Sequence, residues 1–462
     1  MRFGVGGCRP EFRGALAIVV LLMAGGLPVA SQAAAQGPPL PDTLDIARAV
    51  RIAMSESPVL RGSRAAADGA GADRLAAWGA FLPDASVSLS LGRSNSTVST
   101  YEAQEGPAER LQERLTYTSQ SASQGLNLNL TLLDGGRRFA EIRRSAANLR
   151  GAQRRYDDQQ RAVVAAVRRE FLEALRRQEL LELTRTQIAD RELELEIASR
   201  RYEIAAVERT DVLGAELNLV DARIRLIAEQ NLLRVGLRQL VVSMGLPPKA
   251  GEGLFLAGDE GMPAGIPDIE TIVGAAVTTD PGLAALEADR SAASASLWSA
   301  RTTYLPRITA TLGLNRGENF GSDASFWQFD PSDTNTRFGI SASWSIFDGF
   351  GREQQNAQAS AAKRQAEEDY RRLRLEIERD VRRFGAQIEE LAQTQELREQ
   401  AYEISSERLE MEQERYRFGT TSFIELQNAI DAVQRAETAL TQNRYDYRIA
   451  WSNLAEYVEG RP

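Results

Sequence analysis

Four short stretches of the chain alternate between apolar and small or polar residues. Val87, Leu89 and Leu91 interleave with Ser86, Ser88 and Ser90, and Leu126, Leu128, Leu130 and Leu132 with Asn127, Asn129 and Thr131. The pattern returns at Ile308, Ala310, Leu312 and Leu314 among Thr309, Thr311 and Gly313. It returns again at Phe338, Ile340, Ala342, Trp344 and Ile346 among Gly339, Ser341, Ser343 and Ser345. Period two predicts strands with one apolar face, at about 84–92, 122–133, 307–315 and 336–347. Elsewhere the period changes. Ile377, Val381, Phe384, Ile388 and Leu391 step by four and three, as do Val164, Val167, Phe171 and Ala174, the spacing of helix packed on helix. These lie in two proline-free runs of 68 residues, Arg137 to Ile204 and Gly351 to Phe418, each about 100 Å long as a helix.

Return helices at about 208–245 and 423–459 follow these runs, and shorter helices at 43–56, 58–80, 268–279 and 281–303 precede the strands. The whole order occurs twice. Pro58-Val59-Leu60 and Phe81-Leu82-Pro83 recur 223 residues later at Pro281-Gly282-Leu283 and Tyr304-Leu305-Pro306. Leu133-Asp134-Gly135 and Arg201-Tyr202 recur 214 residues later at Phe347-Asp348-Gly349 and Arg415-Tyr416. The nine-residue difference falls between the strands of each pair, in segments of about 93–121 and 316–335, whose Ser, Thr, Glu, Asp and Gly predict exposed loops. Phe326, Trp327 and Phe329 in the second loop suggest a loop packed on itself. The chain thus divides into a first repeat at 36–250, a linker at 251–267 and a second repeat at 268–462.

Residues 1–35 read as a cleaved export signal: Arg2, Arg9 and Arg13, then the apolar run Gly14 to Leu27, then small residues to Ala33 and Ala35. Cys8 precedes the apolar run, so it is not placed to accept a lipid, and its loss would leave no thiol. The sequence has no histidine, which removes the commonest general base and metal ligand. Losing three arginines and one glutamate takes the formal charge from −9 to −11, which argues against a nucleic-acid partner. No later segment is long and apolar enough to span a bilayer as a helix. Any membrane insertion must therefore use the strands.

Strands of about 9 to 11 residues cross a bilayer when tilted. Trp78, Phe81, Trp298, Tyr304, Phe347 and Phe350 cluster where strands meet helices, as aromatic belts do at membrane interfaces. Four strands cannot close a barrel, and open edges are not tolerated in lipid, so sister copies are required: a dimer gives eight strands and a trimer twelve. A soluble sandwich with one wet face carries the same alternation. A bare coiled coil would explain the helices but not the strands.

With its two repeats, Leu-Pro strand entry, Asp-Gly strand exit and Arg-Tyr-x-x-Gly-x-x-Ser tip, the chain resembles the TolC-like outer-membrane efflux channels over nearly all of its mature length. The resemblance implies a mainly α fold with membrane β. Four strands per chain would join a 12-stranded trimeric barrel in the outer membrane, and the helices would form a long periplasmic barrel. It implies a homotrimer, a periplasmic adaptor, an inner-membrane pump of RND, ABC or MFS type, contact with outer-membrane lipid and no cofactor. The interface aromatics would be Trp78, Phe81, Tyr304, Trp344 and Phe347. The hairpin tips Ala205, Ala206, Gly419, Thr420 and Ser422 would meet the adaptor. Tyr416 and Asp211 match the family's gating tyrosine and aspartate, and Glu425 matches an acid of its selectivity ring. Asn428 stands where a second ring acid often occurs and Thr421 where the restraining arginine would be, with Arg209 or Arg417 as substitutes.

The bland reading of Asp211 and Glu425 is that of first-turn acids favoured by a helix dipole. Gly419 fits a left-handed helix end, with Thr421 or Ser422 capping the next helix and Thr210 or Glu208 doing so in the first repeat. The rival function is a soluble periplasmic adaptor or scaffold. An enzyme is the third reading, since no nucleophile with its base, phosphate loop or metal cluster is evident.

Overall fold

Two Asp-Gly steps turn strands into the two longest helices of the fold. The computed structural model describes residues 43–101, 112–258, 261, 265, 268–320 and 334–458. The expected export signal and the aromatic knot at 326–329 lie outside the described residues. The helices are α1 (Ile46–Glu56), α2 (Pro58–Gly79), α3 (Arg137–Glu203), α4 (Arg209–Ser243), α5 (Ile269–Thr279), α6 (Pro281–Thr302), α7 (Gly351–Arg417) and α8 (Phe423–Val458). The strands are β1 (Thr43–Leu44), β2 (Asp84–Tyr101), β3 (Gln112–Leu133), β4 (Phe255–Leu256), β5 (Arg307–Phe320) and β6 (Thr334–Ser343).

Helices α3 and α7 run the full length of a single layer. Next to the sheet the order across the layer is α2–α3–α6–α7; toward the far end it is α4–α3–α8–α7. Shorter helices thus stack end to end beside each long one. The period-3.5 residues form the seams: Ile377, Val381 and Ile388 are buried against Val273, Leu283, Tyr447 and Leu454, with Phe384 and Leu391 packed on their flank. Each such side chain contributes roughly 1.5–3 kcal/mol. The many Arg–Glu and Arg–Asp pairs three or four residues apart on the exposed faces contribute about 0.3–0.5 kcal/mol each, so the seams hold the layer.

The four long strands form one antiparallel sheet in the order β2-β3-β5-β6, the two hairpins lying side by side. Register sorts residues by face. Val87, Leu126 and Leu314 share one row across the sheet, Ala85, Leu128, Leu312 and Phe338 the next, and Leu130, Ala310 and Ile340 a third. The intervening rows are polar: Ser86, Asn127, Gly313 and Arg337, then Asp84, Asn129, Thr311 and Gly339. The apolar band ends at the row of Leu89, Gln124, Arg316 and Thr334. Val87, Leu89, Phe338 and Ile340 on this band are exposed.

Two strand expectations are corrected. Residues 93–101 and 112–121, expected as loop, continue the ladder as far as Tyr101 opposite Gln112. Polar side chains pair across it, Thr97 with Thr116 at 3.4 Å and Thr118 donating to Asn95 at 3.0 Å. Likewise β5 extends to Phe320. Once apolar rows fix the register, β-branched and hydroxyl residues extend a ladder as readily as they leave it. Conversely β6 stops at Ser343, because its partner β5 begins at the opposite residue, Arg307. The segment from Trp344 to Phe347 is held instead by side chains: Trp344 Nε1 donates to the Tyr304 carbonyl at 3.1 Å, and Arg352 donates to those of Ser345 and Ile346 at 3.0 and 2.8 Å.

A clasp built twice joins sheet to helices. Asp134 accepts from the backbone of Gly136 and Arg138 at 3.3 and 3.2 Å and pairs with the Arg138 guanidinium, which lies 4.6 Å from the ring centre of Phe81. In the second repeat Asp348 pairs with Arg352, 5.0 Å from the ring of Tyr304. The backbone turns left-handed at Gly135 and Gly136 and at Gly349 and Phe350; Phe350, at φ 70°, stands where the first repeat has glycine. Of the expected interface aromatics, Trp78, Trp344 and Phe347 are more than half exposed, while Phe81 and Tyr304 lie under the clasp arginines.

Candidate functional site at the helix tips

Both hairpins end in the same backbone device. The carbonyls of Arg201 and Tyr202 accept from the amides of Ala206 and Ala205 at 2.8 and 2.9 Å, and those of Arg415 and Tyr416 from Thr420 and Gly419 at 2.9 and 3.0 Å. This 6→1 and 5→2 pattern closes a helix through one left-handed residue. Ala205, Ala206, Gly419, Thr420 and Ser422 are all exposed. Ser422 caps α8 by accepting the Glu425 amide at 3.3 Å, as expected. The first repeat departs from expectation. Glu208 occupies the cap of α4, but its carboxylate takes the Thr210 hydroxyl at 3.3 Å and no backbone amide.

Tyr416 sits inside the tip, buried with Ala198, Val212, Ala215, Phe423, Leu426 and Ile430. The Arg201 guanidinium lies 4.3 Å from its ring centre and donates to its carbonyl at 2.5 Å. One cation therefore binds both faces of the residue, stacking on the ring and closing the backbone. The hydroxyl is buried with no hydrogen-bond partner among the described residues. Burial raises its pKa above the usual phenol value, Arg201 opposes this and Asp211 adds to it. Asp211, half-buried in the first turn of α4, thus shares the field of Tyr416 without bonding to it. Neither arginine considered from sequence meets Tyr416 within the chain: Arg209 lies over Tyr202 at 5.8 Å and Arg417 pairs with Glu414 at 3.2 Å. Glu425 and Asn428 are exposed one turn apart on α8, and the nearest cation to Glu425 is Arg408 at 3.9 Å.

Sequence reading missed Arg191. Only 5% of its side chain is exposed, and it donates to Glu194 at 3.0 Å and, across to α8, to Gln427, Asp431 and Gln434 at 3.0, 2.5 and 2.9 Å. A buried guanidinium with four acceptors is satisfied, and it fixes α3 to α8 at one register. The signal was present: Ile188, Arg191, Leu195 and Ala198 step by three and four, which puts a cation in an apolar seam.

Among the described residues no group of acids could hold a metal ion, and no helix is long and apolar enough to cross a membrane. The chain matches the outer membrane efflux protein family over residues 49–246 and 272–459. No curated protein matches it. Similar solved structures include a membrane protein from Pseudomonas aeruginosa, 20% identical with a TM-score of 0.73, covering 89% of this chain and 93% of that one. The Campylobacter jejuni CmeC outer membrane channel is 17% identical with a TM-score of 0.74 over 90% and 85% of the two chains. The outer membrane protein VceC from Vibrio cholerae is 16% identical with a TM-score of 0.72 over 89% and 95%. At these identities the likeness is one of fold.

Proposed function

From the premise that this chain belongs to the outer membrane efflux protein family, we propose that three copies close into a duct that carries substrates outward across the outer membrane. The observation that supports closure is that both layers are unfinished at both edges. In the sheet, β2 and β6 each lack a partner on one side among the described residues. In the helical layer, edge helix α4 bears Leu213, Leu217, Val220, Ile224 and Ile227 at steps of four and three, each about half or more exposed. Edge helix α7 bears Leu397, Ile404 and Met411 at steps of seven, with Phe418 one step further at its C-cap, all more than half exposed. Such heptad stripes are seams without a partner. Because α4 and α7 lie on opposite edges, α4 of one copy meets α7 of the next, and the same rotation joins β6 to β2.

Three copies give twelve strands, enough for a barrel with a wet lumen lined by the polar rows. The exposed apolar band faces lipid, and Trp78, Phe81, Tyr304, Trp344 and Phe347 mark its periplasmic rim. The tips at Ala205, Ala206, Gly419, Thr420 and Ser422 are the free end that receives a periplasmic adaptor and, through it, an inner-membrane pump. Asp211, Tyr416, Glu425 and Asn428 form the constriction there. Transport requires no catalysis by this chain.

Ile224→Asp and Ile404→Asp place charge in each seam without touching the intrachain core. The expected result is loss of the trimer on size exclusion in detergent, and loss of conductance in planar bilayers that the parent protein supports. A parent protein that stays monomeric in the aqueous fraction without detergent overturns the reading.

A further inference from the structure

Near the tips α3 and α7 form the walls of a groove floored by α8, with a volume of about 830 Å³. Leu193, Ile197, Leu409, Leu426 and Ile430 line its apolar part. Asp190, Glu194 and Glu437 bring three carboxylates to the same space.

Arg200, Arg201 and Arg417 also line the groove, and each nearby cation already has a partner. Arg191 serves Glu194 Oε2 and three groups on α8, Arg200 pairs with Glu196, Arg201 holds Tyr416 and Arg417 pairs with Glu414. Asp190 and Glu437 have no hydrogen-bond or ion-pair partner among the described residues. The Glu194 side chain is only 4% exposed, and its Oε1 is buried without a partner. Burial raises the pKa of all three carboxyls, with Asp190 adding to the effect at Glu437 and Arg191 opposing it at Asp190 and Glu194. Glu194 has Arg191 as its counter-ion, but Asp190 and Glu437 have none bonded to them, and carboxylates so placed beside an apolar wall are unfavourable until a cation joins them.

We propose that this groove binds a small organic cation with an apolar body, its charge set among Asp190, Glu194 and Glu437 and its body against Leu193, Ile197 and Leu409. The volume falls in the range of small-molecule sites, and a mixed lining of apolar wall and few polar groups is their usual makeup. A bare metal ion would leave the apolar wall unused. The bound molecule bridges α3 to α7 and touches both tip turns, since Ala206 of one and Gly419 of the other border the same groove. It therefore holds the two hairpins at one separation.

The test is a titration of the purified detergent-solubilised protein with ethidium, a rigid aromatic cation, read by fluorescence anisotropy. Saturation at one per chain is expected, with Glu194→Gln and Glu437→Gln each weakening binding about tenfold. Val433→Trp, which fills the groove and leaves every acid in place, weakens it at least about tenfold, whereas Glu216→Gln on the exposed face of α4 leaves it unchanged. Neutral phenanthridine, which keeps the fused rings without the charge, binds at least about tenfold more weakly. Unchanged ethidium affinity in Glu437→Gln and Val433→Trp, or equal affinity for phenanthridine, overturns the proposal. The Glu437→Gln and Val433→Trp pair decides the matter even if Glu194→Gln does not fold.

Discussion

Ala205 and Gly419 hold the same left-handed backbone position at the two hairpin tips, 214 residues apart, with φ of 53° and 73°. A Cβ there carries roughly 1 kcal/mol of strain that glycine avoids. Ala205→Gly is expected to slow amide exchange at Ala206 by a few fold, and Gly419→Ala to speed it at Thr420 by about fivefold, near 1 kcal/mol. Changes of the same sign at both tips would show that packing, not backbone conformation, sets their stability.

Arg201→Met keeps much of the side-chain volume but removes the stacked charge on Tyr416 and the donor to its carbonyl. Each is worth about 1 kcal/mol. The tip is expected to loosen, raising single-channel conductance and the fraction of time spent open. Arg417→Met, whose partner is an exposed glutamate, should leave both unchanged.

If Glu425 lies on the constriction, three copies form a ring of carboxylates that attracts cations. Glu425→Gln is then expected to shift the reversal potential toward lower cation preference, and Asn428→Asp, one turn on, to shift it the other way. Identical reversal potentials in both variants would remove these residues from the pore.

The architecture was legible because two periodicities never mix: period two at 84–92 and 3.5 at 377–391 each describe a single kind of surface. The strands' polar ends were not, since Ser94 and Thr97 face Ser119 and Thr116 and give no apolar signal to distinguish ladder from loop. At the tip, Tyr416 and the turn at Gly419 could be read from local order, but the Arg201–Tyr416 contact spans 215 residues and joins the two repeats. The groove acids come from α3 and α8, 243 residues apart between Glu194 and Glu437, so no spacing rule gathers them. Arg191 alone left a trace, as a charge where a seam wanted a leucine.

Asp280 caps α6 by accepting the Leu283 amide at 2.8 Å, and its side chain, 2% exposed, pairs with Arg161 at 2.5 Å. Asp280→Ala removes a cap and leaves a mostly buried guanidinium, eased by Asp158. Stability is expected to fall by about 2–4 kcal/mol in denaturant unfolding. Its counterpart 223 residues earlier, Ser57, makes no side-chain cap bond, so Ser57→Ala should cost under about 1 kcal/mol.

Glu437 has a raised pKa from burial and from Asp190, so the folded chain keeps this proton to a higher pH than the unfolded chain does. Its contribution is fully present below the ordinary glutamate value, about 4.3, and is lost as pH rises through the folded value. At pH 7 the charge beside Asp190 is therefore a burden that Gln removes. Glu437→Gln is expected to melt higher than the parent at pH 7, with the gain vanishing near pH 4. A gain independent of pH would assign the effect to packing.

Among the described residues an isolated copy keeps its helices' internal seams but carries two open strand edges and two bare stripes. If copies close the duct as proposed, the last stage of folding is an encounter between molecules, and its rate depends on how many are present. Dilution during refolding should lengthen that stage while leaving the earlier helical collapse untouched. On that reading, each newly made chain exposes those stripes and edges until the encounter occurs.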